Sequence, residues 1–166
     1  MALNDVRIHK SPYDSIPTVT WQTDAAATAI TAGDLLKMTA AGGVYVTPLV
    51  DADLTIGTDT QIAGVAASAG SHTATADGTV EVYLPLPGVI WEMAVTTAAN
   101  FDTQAEIDAL QGDRVTIDVT ALVQTLDEND GDGATNAFYI VGGDPDRQVA
   151  YFTIRADATW LSGESV

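Results

Sequence analysis

Gly33-Asp34-Leu35-Leu36-Lys37-Met38, Gly64-Val65-Ala66, Asp77-Gly78-Thr79-Val80-Glu81-Val82-Tyr83 and Gly112-Asp113-Arg114-Val115-Thr116-Ile117 share one construction. Each is a short β-type segment opened at a glycine, in three of them through a Gly–Asp or Asp–Gly pair. Glycine takes positive φ at little steric cost, and aspartate bonds its own backbone two residues on, so such pairs punctuate strands. Within the segments the apolar residues alternate. Val80, Val82 and Leu84 point one way, and Thr79, Glu81 and Tyr83 the other. Val115, Ile117 and Val119 do the same against Arg114, Thr116 and Asp118. That is the period of a half-buried antiparallel sheet. The expected fold is all-β, a small barrel or sandwich. Its expected core includes Val80, Val82, Leu84, Trp91, Val115, Ile117, Phe152 and Ile154.

Working outward, Thr18–Gln22, Leu35–Thr39, Val44–Val46, Ile62–Ala66, Thr79–Leu84, Val89–Val95, Val115–Val123, Ala137–Val141 and Ala150–Arg155 read as strands. Gly42-Gly43 marks a hairpin, and Gly142–Asp146 a longer turn. Asp24–Ile30 fits a helical turn, a loop or an edge strand. Residues 51–61, acidic and rich in threonine, read as a loop. One helix is signalled near Gln104–Gln111. Thr103-Gln104-Ala105-Glu106 is a capping box, Ile107 and Leu110 share a face, and Gly112 is a natural stop. The helix belongs to an insertion near residues 100–112 of a single β domain spanning 21–166.

Residues 1–20 read as an extended arm outside that domain. Pro12 and Pro17 exclude a helix, while Val6, Ile8, Tyr13, Ile16 and Val19 give the segment apolar groups to lie down on a surface. Its charge also differs from the rest. The 166 residues carry 23 acidic and six basic side chains, a net charge of −17. Arg7 and Lys10 lie in the first twelve residues beside one acid, Asp5, leaving 22 acids against Lys37, Arg114, Arg147 and Arg155. An acidic field of this size repels nucleic acid and anionic membrane, so neither is an expected partner.

The chain has no cysteine, which excludes disulfides, thiolate metal sites and cysteine nucleophiles. Residues 1–20 lack the apolar run of a signal peptide, and no apolar stretch approaches membrane-spanning length. The acidic loop Asp127–Gly133 invites a calcium reading, but the spacing fails. With Asp127 first, the fifth position is Gly131 and the twelfth Phe138, neither of them a side-chain oxygen donor. His9 and His72 have no metal-ligand spacing. Gly70-Ser71-His72 lacks the strand–turn–helix setting of a nucleophile elbow, and no phosphate loop is present. The expectation is a chain without catalytic residues, cofactor or metal. Trp160 is the residue to watch for a sugar-stacking platform, against the commoner role of a tryptophan in a core.

The run Ala32–Met38, then Ile62-Ala63-Gly64-Val65-Ala66, then Asp77–Val82 resembles the head decoration, or cement, proteins of tailed bacteriophages, over roughly residues 30–96. The resemblance implies a β-tulip-like domain on the exterior of the virion capsid. Such a protein is often a homotrimer and clamps adjacent subunits of the major capsid protein. It carries no catalytic residues over. On this reading the arm attaches the protein, with Arg7 and Lys10 meeting acidic capsid surface and Ile8, Tyr13 or Ile16 entering clefts. Three other readings stay open: a carbohydrate-binding or adhesion module of a tail or cell surface, a tail or neck subunit, and a small hydrolase, which a pocket of converging carboxylates would revive.

Overall fold

A computed structural model of the chain describes residues 6–39, 45–50, 61–129, 131, 133 and 135–162. The glycine pair at 42–43, most of the 51–61 segment and parts of the 127–133 loop lie outside them. Eleven strands are described: β1 (Arg7–Lys10), β2 (Thr18–Thr23), β3 (Leu35–Met38), β4 (Val46–Pro48), β5 (Ile62–Ala66), β6 (Gly78–Tyr83), β7 (Ile90–Ala94), β8 (Arg114–Thr120), β9 (Val123–Asp127), β10 (Phe138–Asp144) and β11 (Val149–Ile154). One α-helix, α1 (Gln104–Leu110), joins β7 to β8. The strands form two antiparallel sheets, in the orders β1-β7-β11-β10-β8-β9 and β2-β6-β5-β3-β4. Isolated bridges Gln22–Tyr45 and Val95–Leu126 mark where each sheet curls toward itself. Among the described residues the ladders do not close, and the all-β fold fits a sandwich.

Two apolar clusters hold the layers together. In the larger, Trp91, Met93, Val115, Ile117, Leu126, Phe138, Ile140 and Phe152 of the first sheet meet Leu35, Ile62 and Val65 of the second. The smaller lies on the other side of the second sheet, around Ile30, Leu36, Met38, Val46, Val80 and Val82, with Trp21 and Trp160 packed against it. Successive strand side chains face opposite ways, so Leu35 enters one cluster and Leu36 the other. All of β5 is buried, which accounts for its small apolar composition. The β3–β5 register slips by one residue between Leu36–Gly64 and Lys37–Ile62. Gly64, at φ 140, sits in that bulge, and the slip lets Ile62 and Val65 both face the larger core.

Six of the eight expected core residues, Val80, Val82, Trp91, Val115, Ile117 and Phe152, are at most 2% exposed. Leu84 and Ile154 are half-buried instead. Leu84 falls one residue past β6, and Ile154 closes β11, so both sit where the cover of the opposite layer runs out. The helix forms at its capping box. The Glu106 N–H donates to Thr103 Oγ1 at 3.3 Å, and the Thr103 N–H donates to Glu106 Oε2 at 3.0 Å. Asp24–Ile30 is loop.

Two readings are corrected. The single strand expected over Val115–Val123 is a hairpin, β8–β9, turning at Ala121 (φ 52) and Leu122 (φ 70). No asparagine or glycine announces this turn, so the strand pattern runs straight through it in the sequence. The second correction concerns the N-terminal segment, which is built into the domain over its described residues. Val6 is 4% exposed in the larger core, and its N–H donates to the Gly33 carbonyl at 3.1 Å. β1 pairs with β7, and a boundary at residue 20 would cut β2. Val6 and Ile16 serve the chain's own core, while Ile8 and Tyr13 stay exposed.

Candidate functional site

Among the described strands β1 lies at one end of the first sheet, paired with β7, and an end strand is where strand addition takes place. Its ladder sets Arg7 opposite Glu92, Ile8 opposite Trp91 and Lys10 opposite Ile90, with a bulge at His9. All four β1 side chains are exposed.

Tertiary contacts add what the sequence does not place there. The His9 ring stacks on Tyr151, centroids 3.7 Å apart and planes 21° from parallel. His9 Nδ1 lies 3.5 Å from Glu92 Oε2. Arg147 grips the same carboxylate with two hydrogen bonds, Nη2 donating to Oε1 at 2.7 Å and Nη1 to Oε2 at 3.1 Å. These donors, Arg147 first, hold the Glu92 carboxyl below its ordinary range, and Glu92 in turn raises Arg147. Burial, then the nearby carboxylates of Asp144 and Glu92, push the Tyr151 hydroxyl up. Three of the six lysines and arginines, Arg7, Lys10 and Arg147, thus gather on and beside one edge of an acidic protein. Arg147 had no signal in the sequence: it lies in the β10–β11 turn, far along the chain from β1.

Beside this edge an open cleft of about 290 Å³ is lined by Val6, Arg7, Ile8, Ala67, Tyr83 and Trp91, among others. Ile8, 39% exposed, borders it. Of the expected contact residues, Arg7, Ile8 and Lys10 therefore share a strand. Tyr13 stands apart, its hydroxyl donating to the Pro87 carbonyl at 3.1 Å, with the ring still exposed. Ile16 lies apart from β1. It packs half-buried against the larger core, because the chain must turn inward there to enter β2.

The other candidates resolve into structural roles. Trp160 meets Trp21 edge-on at 5.3 Å, its Nε1–H donates to the Ala63 carbonyl at 3.1 Å, and it packs half-buried against the smaller core. His72 Nε2 lies 3.2 Å from the Ala27 carbonyl. In the acidic loop Glu128 is 4% exposed, accepting from the Thr97 N–H at 3.1 Å and Asn129 Nδ2 at 2.7 Å. Among the described residues no group of three or more His, Asp or Glu side chains is placed to hold a metal ion, and no helix is long and apolar enough to cross a membrane. The edge thus brings together an end strand, cationic side chains and a cleft of mixed polar and apolar lining. Comparisons with protein-family models, with curated proteins and with solved structures found no match to this chain.

Proposed function

We propose that this chain is a non-enzymatic virion structural protein of the cement kind. It binds the major capsid protein on the exterior of an expanded phage head and clamps neighbouring subunits. The reading draws on the resemblance over residues 30–96 and on one structural observation, the cationic end strand β1 on a body of net charge −17. Attachment uses the β1 edge, with Arg7 and Lys10 against acidic shell surface and Ile8 toward an apolar contact. Assembly as a homotrimer on the shell would multiply each weak contact through avidity. Binding to the expanded shell and not to its precursor stabilises the expanded state by mass action.

The test is addition of the purified protein to expanded capsids that lack it. Binding that raises the capsid melting temperature supports the proposal, and failure to bind such shells overturns it. Because Val6 is a core residue, the attachment variant is Arg7→Ala with Lys10→Ala rather than a truncation. It should bind more weakly and with a shallower dependence on salt.

A further inference from the structure

We propose that His9 makes the docking of β1 pH-dependent, clasping the strand to β7 and β11 in acid and loosening it as the solution turns alkaline. The clasp sits in the strand that carries Arg7, Ile8 and Lys10. It rests on how β1 lies in the sheet and not on what the strand binds.

The first observation is the position of His9. The β1–β7 ladder runs from Arg7–Glu92 through Ile8–Trp91 to Lys10–Ile90 and slips at His9. A bulge of this kind re-aims a side chain. Here the imidazole lands on two neighbours that are themselves register partners, Glu92 of β7 and Tyr151 of β11. It stacks on the Tyr151 ring with centroids 3.7 Å apart, and its Nδ1 lies 3.5 Å from Glu92 Oε2. The end strand is thereby tied to β11, one strand beyond its ladder partner.

The second observation is that both contacts strengthen with the same proton. On a charged imidazole the approach to Glu92 becomes an ion pair, and the stack becomes a cation over an aromatic face. Histidine is the side chain that ordinarily changes charge between about pH 5 and 8. Across that range its two partners keep their states. Arg147 first holds the Glu92 carboxyl below its ordinary range, and burial first pushes the Tyr151 hydroxyl up.

Like charges oppose the clasp. Arg7 and Lys10 share the strand with His9, and Arg147, from the β10–β11 turn, donates to the same Glu92 oxygen at 3.1 Å. Two features outweigh them. Glu92 is in contact, and charge–charge energy falls with distance. Asp144, in the same turn, bears on both Arg147 and Tyr151, and a chain of net charge −17 favours an added proton. The clasp therefore adds stability below the ordinary histidine range, and this is lost as pH rises through it.

Hydrogen exchange of the β1 backbone amides in the full chain tests this at about pH 5.5 and about pH 7.5, either side of the ordinary histidine value. Rates are read as protection factors, so that the intrinsic pH dependence divides out. His9→Gln should lower β1 protection about two- to fivefold at the lower pH, the scale of a partly exposed ion pair, and clearly less at the higher. With Glu92→Gln in place, that pH step should shrink. An equal loss at both pH values would overturn the proposal. So would a greater loss at the higher pH, which would mean that repulsion from Arg7, Lys10 and Arg147 wins. A step of undiminished size beside Glu92→Gln would overturn it too. Capsids take no part in these readings, so this proposal and the attachment proposal can fail separately.

Discussion

Replacing Gln124 by leucine should cost the protein about 2–4 kcal/mol, although the two side chains have similar shapes. Gln124 sits on β9 of the first sheet, 1% exposed, where the alternation of the strand calls for an apolar residue. Its amide instead reaches across to the second sheet. Oε1 accepts from the Leu35 N–H at 2.7 Å, and Nε2 donates to the carbonyls of Leu35 and Leu49, each at 3.0 Å. The side chain thus stands in for a strand partner at the seam between the layers. Leucine would leave the Leu35 N–H and the Leu49 carbonyl without this amide. Each orphaned buried group costs about 1–3 kcal/mol, and burial of the added apolar surface offsets part of that. The Leu35 carbonyl keeps its bond from the Leu49 N–H at 2.9 Å. For a domain of this size the loss corresponds to a melting temperature lower by roughly 5–15 °C. Urea melts should show a reduced midpoint at constant slope, and the Leu35 amide should exchange faster. Gln124→Glu should be worse than leucine at neutral pH, since a carboxylate would face two carbonyl oxygens. Its buried acid would have a raised pKa, so the stability of that variant should recover as pH falls toward about 4.3, the ordinary glutamate value. A Gln124→Leu loss below about 1 kcal/mol at unchanged slope would refute the reasoning, because the amide would then not be tying the sheets.

Three further outcomes are expected. Val6→Ala should destabilise the isolated protein by about 1–3 kcal/mol in chemical denaturation, as deletion from a packed core does, and removing residues 2–10 should cost more by stripping β1 from β7. Gly64→Ala should prevent stable folding, seen as loss of the cooperative thermal transition. A Cβ there would lie 2.1 Å from the Tyr83 carbonyl oxygen, and at φ 140 an L side chain is strained in any case. Glu92→Gln should flatten the acid limb of the stability profile. The depressed Glu92 pKa contributes stability that is present above the unfolded value and lost as pH falls through the folded one. Wild type should therefore exceed the variant by a few degrees at most at pH 7, given the exposure of Arg147, and the two should converge in acid, as thermal melts across pH would show.

The strands and the helix were legible because their signals are local. Alternation in Thr79–Tyr83, glycine before Asp34 and the Thr103–Glu106 box each act within a few residues, and each reappears in the structure. The β8–β9 hairpin was not legible, because Ala121 and Leu122 carry no turn chemistry and the register of the whole sheet forces them into it. The N-terminal segment misled for the opposite reason. Its prolines and scattered apolar residues describe an arm until β7 and Gly33 supply the partners that bury Val6 and pair Arg7–Lys10.

The candidate edge divides in the same way. Arg7, Ile8 and Lys10 could be picked out by their contrast with an acidic chain, a property of composition and position alone. Arg147, Glu92 and Tyr151 could not, since β7 and β11 bring them beside His9 from distant parts of the chain. The sequence by itself determined an all-β chain with one capped helix, because periodicity, turn residues and caps are short-range physics. Which strand ends a sheet, which glutamine bridges the layers and which carboxylate meets His9 were decided by tertiary structure, since each depends on how distant strands come together.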